Sequence, residues 1–248
     1  VPDSVGAAGD FGVSRDETGV AWYPKPNAAS PFGTGKTILA EPGDNQIAEA
    51  MAQAEPGDEI VLAPGTYREA KSINLQIPVT VRAAEAGTAT ILFERRNLFL
   101  LSSLGGLKMA GITVNGSAAP DAVGNSFIAS TARGGSGNHV VELSDMVFED
   151  FVVNRSFSVV TAAKGTFFDK VEVSDSRFQN ISGVAFKFDS ETDDYGIYNV
   201  EYLIIRDSQF TDVRGSATSI YRGGRDESTF GPHAFITGSS FARVGADT

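Results

Sequence analysis

The segment Tyr221–Pro232 concentrates side chains that could bind a carboxylate. It holds two arginines, an aspartate, a glutamate and three glycines within twelve residues. Arginine binds carboxylates through paired hydrogen bonds, and glycine lets the backbone approach a ligand closely. The alternative is a turn in which the arginines pair with Asp226 and Glu227 and join neighbouring parts of the chain. The candidate substrate-binding residues are Tyr221, Arg222, Arg225, Glu227 and His233.

A second unusual segment, Asp189–Asn199, begins with four carboxylates in six residues. Such a cluster could collect a hard cation through oxygen ligands, but it lacks the spacing of an EF-hand loop, and a solvated loop is the commoner structure. We therefore assign no metal ligand. Tyr195 and Tyr198 are candidates for stacking on sugar rings. His139 could exchange protons, although a lone histidine more often packs or forms a hydrogen bond.

An eight-residue pattern recurs along the second half of the chain. Its copies end at Phe148, Phe178, Phe210 and Phe241, at intervals of 30, 32 and 31 residues. Apolar residues alternate in each copy, which is typical of a strand with one buried face, and an Asp-Ser or Gly-Ser pair then turns the chain. A β-sandwich would not repeat one octapeptide at fixed spacing. The repeats predict an all-β fold, a right-handed parallel β-helix, or solenoid.

The first part of the chain predicts a lead-in and a cap. Residues 1–36 are rich in glycine, proline and alanine and indicate a linker or irregular lead-in, followed by the β-helix domain at 37–248. Asp44 or Asn45 is expected to N-cap a short helix that covers the first coil. The apolar face of that helix consists of Ile47, Ala50, Met51 and Ala54.

No comparable cap follows the last repeat. Because a solenoid needs a cap at both ends, we expect the β-helix to continue beyond residue 248. The last coil should otherwise expose an apolar face that includes Ala234, Ile236 and Phe241. A continuation of the chain, another polypeptide or a second copy in a homodimer would then cover it.

Charge and composition exclude several classes of protein. Twenty basic against 31 acidic residues give a net charge of −11, which argues against a nucleic-acid-binding surface. The apolar run Leu98–Leu101 is far shorter than the ~20 residues that cross a membrane. An anionic polysaccharide would be repelled unless basic groups or a divalent cation gather locally.

The two unusual segments resemble a known family. Glu191–Glu201 and Tyr221–Pro232 are similar to stretches of the chondroitinase B-like alginate lyases, polysaccharide lyase family six, and more narrowly of the C-terminal β-helix of the two-domain members. Glu94–Phe99 and Asp121–Asn125 fit the same module. The resemblance spans residues 37–245.

The resemblance implies a catalytic chemistry whose residues this chain lacks. In that family the first β-helix cleaves uronate polymers by β-elimination: a calcium ion neutralises the carboxylate, a lysine in an Asn-Lys-Ser run removes the proton, and an arginine in an Arg-His-Gly run assists the leaving oxygen. Here Lys71-Ser72 follows Ala70, and Arg-His does not occur. We therefore assign no catalytic residue and no cofactor to this chain, and expect Ca²⁺ in the parent enzyme.

Three functions stay open at this point. The chain could be an accessory β-helix that packs on the catalytic β-helix of an alginate lyase and shapes the substrate cleft. It could be a lyase by itself, with Arg222 or Arg225 binding the uronate and Tyr221 or His233 handling the proton. It could also be a non-catalytic glycan-binding module. The resemblance implies a secreted or periplasmic bacterial protein.

Overall fold

The structure is a computed structural model that describes residues 30–131, 138–190, 198–221 and 232–245. These residues form 22 strands and one short helix, α1 (Gln46–Met51). The strands are β1 (Thr37–Ala40), β2 (Gly43–Asp44), β3 (Glu59–Leu62), β4 (Gly65–Glu69), β5 (Ile73–Leu75), β6 (Pro78–Ala83), β7 (Ala89–Phe93), β8 (Asn97–Leu101), β9 (Gly106–Ala110), β10 (Ile112–Asn115), β11 (Ser126–Ser130), β12 (Asn138–Ser144), β13 (Val147–Phe151), β14 (Ser158–Thr161), β15 (Phe167–Ser174), β16 (Arg177–Ile181), β17 (Phe186–Phe188), β18 (Val200–Arg206), β19 (Gln209–Val213), β20 (Thr218–Ile220), β21 (His233–Thr237) and β22 (Ser240–Val244).

The strands stack into three parallel sheets that surround one core. The first sheet has the order β1-β3-β6-β9-β12-β15-β18-β21, the second β2-β4-β7-β10-β13-β16-β19-β22, and the third β5-β8-β11-β14-β17-β20. Each strand pairs with its equivalent on the next coil, so the predicted all-β parallel solenoid is confirmed. No helix among the described residues is long and apolar enough to span a membrane.

The repeated phenylalanines form a ladder inside the solenoid. Phe148, Phe178, Phe210 and Phe241 occupy equivalent positions of β13, β16, β19 and β22. Their rings stack with centroid distances of 5.1, 4.6 and 5.1 Å and interplanar angles of 10° or less. Each ring lies on the ring of the next coil, so residues one repeat apart in the sequence are paired in the second sheet.

The turn between the first and second sheets explains the recurring Asp-Ser pairs. Asp145, Asp175 and Asp207 adopt φ angles of 51°, 50° and 48°, and Gly238 takes the equivalent place with φ 59°. Aspartate and glycine tolerate this left-handed conformation better than other residues. At Gly238 a side chain would also collide with Asp207, since a Cβ there would lie 2.0 Å from its Oδ1. The predicted turn is therefore confirmed.

The serine after each turn joins neighbouring coils. The Ser176 hydroxyl donates to the Ser174 carbonyl at 2.7 Å and accepts the Met146 N–H at 3.1 Å. Ser208 repeats the arrangement one coil later, where its hydroxyl accepts the Ser176 N–H at 3.2 Å. Both serines are buried, so these bonds satisfy backbone groups that lie away from water.

Helix α1 lies where the sequence predicts a short helix, but its N-terminus is capped differently. Asn45 precedes the helix with φ 56° and makes no side-chain cap; its Oδ1 instead accepts the Ala70 N–H at 3.0 Å. The buried Glu69 carboxylate, one coil away, accepts the N–H groups of Ile47 at 2.8 Å and Ala48 at 3.3 Å. The predicted cap by Asp44 or Asn45 is therefore wrong, because the side chain that reaches the free N–H groups comes from β4.

The apolar face of α1 packs against the first coils. The helix contacts β1, β3 and β4. Three of the four predicted apolar residues are buried and Ala54 is half-buried; the buried ones are Ile47, Ala50 and Met51.

The ends of the described chain differ in burial. Phe32, within the predicted lead-in, is buried and lies against Gly106 on the outer face of the first sheet. In the last coil, Ile236 is 41% exposed and Phe241 is 45% exposed. What covers this face of β21 and β22 stays a prediction.

Candidate functional site

The predicted site lies where the chain passes from the third sheet to the first. The segment Tyr221–Pro232 connects β20 to β21. At its start the half-buried Tyr221 donates its backbone N–H to the Phe188 carbonyl at 3.0 Å. Three predicted residues lie outside the described part of the chain, and their role stays a prediction: Arg222, Arg225 and Glu227.

At the other end of the segment, His233 contacts a buried carboxylate and an aromatic ring. Its imidazole stacks on Tyr202, its register partner on β18, with ring centroids 5.0 Å apart and an angle of 26°. Its Nε2 lies 3.6 Å from Oε1 of Glu201. The stacking and the carboxylate together fix the orientation of the ring, whose side chain is 16% exposed.

Glu201 is the most buried member of this cluster, at 1% exposure. The Tyr198 hydroxyl donates to its Oε2 at 2.5 Å. Tyr198 is itself buried, with its ring 5.6 Å from that of Phe167. The prediction that Tyr198 is exposed and stacks on a sugar is therefore wrong: its ring packs against Phe167 and its hydroxyl binds Glu201. Tyr195 lies outside the described residues.

The cluster has the composition of an acid–base group. A carboxylate beside an imidazole can orient the ring. Nε2 of His233 faces Glu201 at 3.6 Å, which is an ion pair only when the imidazole is protonated. The structure thus brings His233 together with Glu201, Tyr198 and Tyr202.

The described ends of the acidic segment have structural partners. Asp189 accepts the Ser219 hydroxyl at 2.6 Å and lies 4.0 Å from Nζ of Lys187. The buried Asn199 amide accepts the Ser190 N–H at 3.1 Å and donates to the Thr166 carbonyl at 2.9 Å. Within the ranges that the structure describes, no group of three or more histidine, aspartate or glutamate side chains is placed to hold a metal ion. The other three carboxylates of the segment, Glu191, Asp193 and Asp194, lie outside those ranges.

Lys170 lies beside the cluster, paired in register with Tyr202, but it is a poor candidate for a base. Its Nζ is 2.9 Å from Glu142 and 3.0 Å from Glu172, and Glu172 also binds Arg206. Although burial opposes the charge, the hydrogen bonds and charges of the two glutamates raise the pKa of Lys170 above its usual value. The ammonium group therefore stays protonated and stabilises the outer face of the first sheet.

His139 has the packing role that is commoner for a lone histidine. It is fully buried, its Nδ1 lies 2.9 Å from the Gly105 carbonyl oxygen, and its ring contacts Phe168 edge-on at 5.4 Å. Burial lowers the pKa of His139, which keeps the imidazole neutral.

Sequence reasoning missed Glu201, although one signal was present. Strand β18 is buried on both faces, and its sequence is apolar at almost every position rather than at alternate ones. A strand of that kind is covered on its outer side as well. A glutamate at its second position is therefore buried and needs partners, which Tyr198 and His233 provide.

Comparison with known proteins identifies a structural relative. No protein-family model and no curated protein matches the chain. Among solved structures, the PL6 family alginate lyase AlyGC matches 94% of this chain with 42% sequence identity and a TM-score of 0.84. A point mutant of the same enzyme matches equally well. The chain is structurally related to a polysaccharide lyase.

The match is limited to part of the relative. This chain spans 32% of the length of AlyGC, about a third. The likeness, which covers 94% of this chain, therefore supports the predicted relationship to alginate lyases and the β-solenoid fold.

Proposed function

We propose that this chain is an accessory β-helix of an alginate lyase, which packs on a catalytic β-helix and helps to shape the cleft for the polymer. The coverage of the match carries this proposal: at 42% identity, 94% of the chain corresponds to only 32% of the alginate lyase AlyGC. The part of AlyGC outside the match is about twice as long as the matched part, which leaves room for a separate catalytic domain.

The chemistry of the residues supports the same assignment. Elimination needs a base of lowered pKa beside a group that stabilises the enolate. The sequence contains neither the Asn-Lys-Ser nor the Arg-His-Gly run of the family, and Lys170 is held in its charged form. The family's base and acid thus have no equivalents that we can assign in this chain.

The test is an assay of the purified chain on alginate. Elimination creates a conjugated double bond, so turnover appears as ultraviolet absorbance. We expect no increase with the chain alone, with or without added calcium, while a complete family member under the same conditions gives a rising signal. Sustained product formation by the pure chain would overturn the accessory role.

One observation favours a second candidate, a self-contained lyase: the contact between His233 and the buried Glu201. In this alternative His233 handles the proton, and Arg222 or Arg225 binds the uronate. If the purified chain is active, His233→Ala should abolish turnover, and the double change Arg222→Ala with Arg225→Ala should raise KM. Activity that survives His233→Ala would exclude this site.

The proposed role includes several further expectations. We expect the solenoid to wind in the right-handed sense, which parallel connections strongly favour, and α1 to cap its first coil. We expect calcium in the catalytic part of the parent enzyme, a secreted or periplasmic location, and pairing with the catalytic β-helix or with a second copy. Light scattering of the purified chain would report such pairing.

A further inference from the structure

Residues 30–36, which we call the lead-in strap, are held against the first sheet at two places. At one place the Lys36 N–H donates to Oδ1 of Asp58 at 2.8 Å, just before β3. At the other place the side chain of Phe32, which is 7% exposed, covers Gly106 at the start of β9. Strands β3 and β9 are two places apart in the sheet, so the strap runs along the axis of the solenoid.

Phe32 rests on backbone that has no side chains. A Cβ at Gly106 would lie 3.3 Å from the Phe32 ring and 3.2 Å from the Val140 carbonyl oxygen. A Cβ at Gly105 would lie 2.1 Å from the Leu75 carbonyl oxygen. The ring therefore packs directly on this backbone, and a change in the position of the two glycines would remove the surface that Phe32 covers.

His139 holds the same backbone through one ring nitrogen. Its Nδ1 lies 2.9 Å from the Gly105 carbonyl oxygen, and because a carbonyl can only accept, Nδ1 carries the proton of the neutral ring. Its Nε2 is buried and has no hydrogen-bond partner among the described residues. The ring also contacts Phe168 edge-on at 5.4 Å. A second proton, on Nε2, would thus create a buried charge without an acceptor.

The charged residues of the surrounding strands bind one another and leave this charge uncompensated. The titratable residues of β9, β12 and β15, apart from His139, are Lys108, Glu142, Asp169, Lys170 and Glu172. Both lysines pair with Glu142, and Lys170 also pairs with Glu172. Burial lowers the pKa of His139 below its usual 6.5, the Gly105 carbonyl opposes this in part, and none of these charges contributes.

We propose that His139 is a proton-operated latch for the lead-in strap: uptake of a proton at Nε2 displaces the backbone at Gly105 and Gly106 and releases Phe32 from the first sheet. The strap belongs to no strand or helix, so its release breaks no sheet pairing and admits water to the charged ring. The other attachment persists, because the hydrogen bond from the Glu55 N–H helps to hold the pKa of Asp58 below 3.8.

The direction of the pH dependence follows from proton binding. With the strap released, the imidazole contacts water and has its ordinary pKa of 6.5, whereas with the strap in place burial lowers the pKa of His139. The closed form is therefore fully stabilised above pH 6.5 and loses stability as the pH falls through the lowered pKa. Neutral pH holds the strap and acid releases it.

Hydrogen–deuterium exchange of the intact chain at pH 7.5 and 5.0, corrected for the intrinsic rate at each pH, measures the release. His139→Asn keeps an amide donor for the Gly105 carbonyl but cannot take up a proton. His233→Asn is the matched control, because the chain has two histidines. Circular dichroism confirms that each variant is folded.

We expect exchange of residues 30–36 in the wild type to rise about ten-fold between pH 7.5 and 5.0, which corresponds to a difference of about one pKa unit. His139→Asn should exchange equally at both pH values, and His233→Asn should respond like the wild type. Phe32→Ala should exchange rapidly at both, since it lacks the ring that the latch retains.

Nuclear magnetic resonance of ¹⁵N-labelled histidine follows the latch in the wild type, so the test does not depend on how a variant folds. At pH 7.5 His139 should show a protonated Nδ1 and an unprotonated Nε2, and it should gain its proton over the pH range in which the strap is released. Three results would each overturn the latch: unchanged strap exchange in the wild type, a wild-type response in His139→Asn, or protonation of His139 without release of the strap.

Discussion

Glu201 and Glu69 are both buried carboxylates of this solenoid, and their partners give them different roles. Glu201 faces two side chains, the Tyr198 hydroxyl and the His233 imidazole. Glu69 faces two backbone N–H groups at the start of α1 and therefore has a structural role. Burial outweighs these two donors and raises the pKa of Glu69 from 4.5 to about 7.

The raised pKa of Glu69 predicts a specific pH dependence of stability. In the unfolded chain this carboxyl loses its proton near pH 4.5, whereas in the folded protein it does so only near pH 7. Folding therefore retains a proton in this window, and the free energy of unfolding should fall as pH rises from about 4.5 to 7, by an amount on the order of 2–3 kcal/mol.

Urea unfolding of the wild type and of Glu69→Gln, measured across that pH range, isolates the effect. The variant cannot ionise at this position, so the difference in stability between the two proteins should change with pH in the predicted direction. Glu85→Gln, at an exposed position, controls for the loss of a charge. A constant difference from pH 4.5 to 7.5 would show that Glu69 ionises normally.

At the scale of the elements, stacked equivalent residues hold one coil on the next. Phe178 lies between Phe148 and Phe210 in the ladder and also contacts Phe186 edge-on at 5.3 Å. Phe241 has the same residue type and register, but among the described residues it stacks only on Phe210, and it is half exposed. The contribution of each ring to the free energy of unfolding should therefore depend on its place in the ladder.

Alanine substitution compares these two places directly. Phe178→Ala should lower the free energy of unfolding by about 3–5 kcal/mol, because it opens a cavity between three aromatic rings. Phe241→Ala should lower it by only about 1 kcal/mol, because much of that side chain already contacts water. Urea midpoints of both variants provide the measurement. Similar losses of unfolding free energy in the two variants would contradict the prediction that interior rings of the ladder stabilise the fold more than the terminal one.

The sequence predicts these elements well where the interactions repeat, and poorly where they do not. The spacing of Phe148, Phe178 and Phe210 predicts where each strand lies, which of its faces is buried and how it pairs with the next strand, because each coil repeats the same contacts. The cap of α1 was missed because Glu69 lies more than 20 residues from the groups that it binds. The burial of Tyr198 depends likewise on side chains of β15 and β18, and no local pattern signals it.

At the scale of the whole molecule, the solenoid converts a sequence interval of 21 to 34 residues into one strand spacing, from the pairs Glu59–Thr80 and Gly106–Val140. Side chains far apart in the sequence therefore form rows along the axis. On the first sheet such a row pairs Lys170 with Glu142 and Arg206 with Glu172, which neutralises the charges locally.

If this chain is an accessory β-helix, it should be able to replace the matching third of AlyGC without removing catalytic residues. A chimera tests this directly: the part of AlyGC that matches this chain is replaced by residues 37–245, and alginate cleavage is measured beside intact AlyGC and the chain alone. We predict that the folded chimera retains activity within about ten-fold of AlyGC, while the isolated chain has none. A folded but inactive chimera would contradict the account, because the replaced third would then carry catalytic residues that this chain lacks.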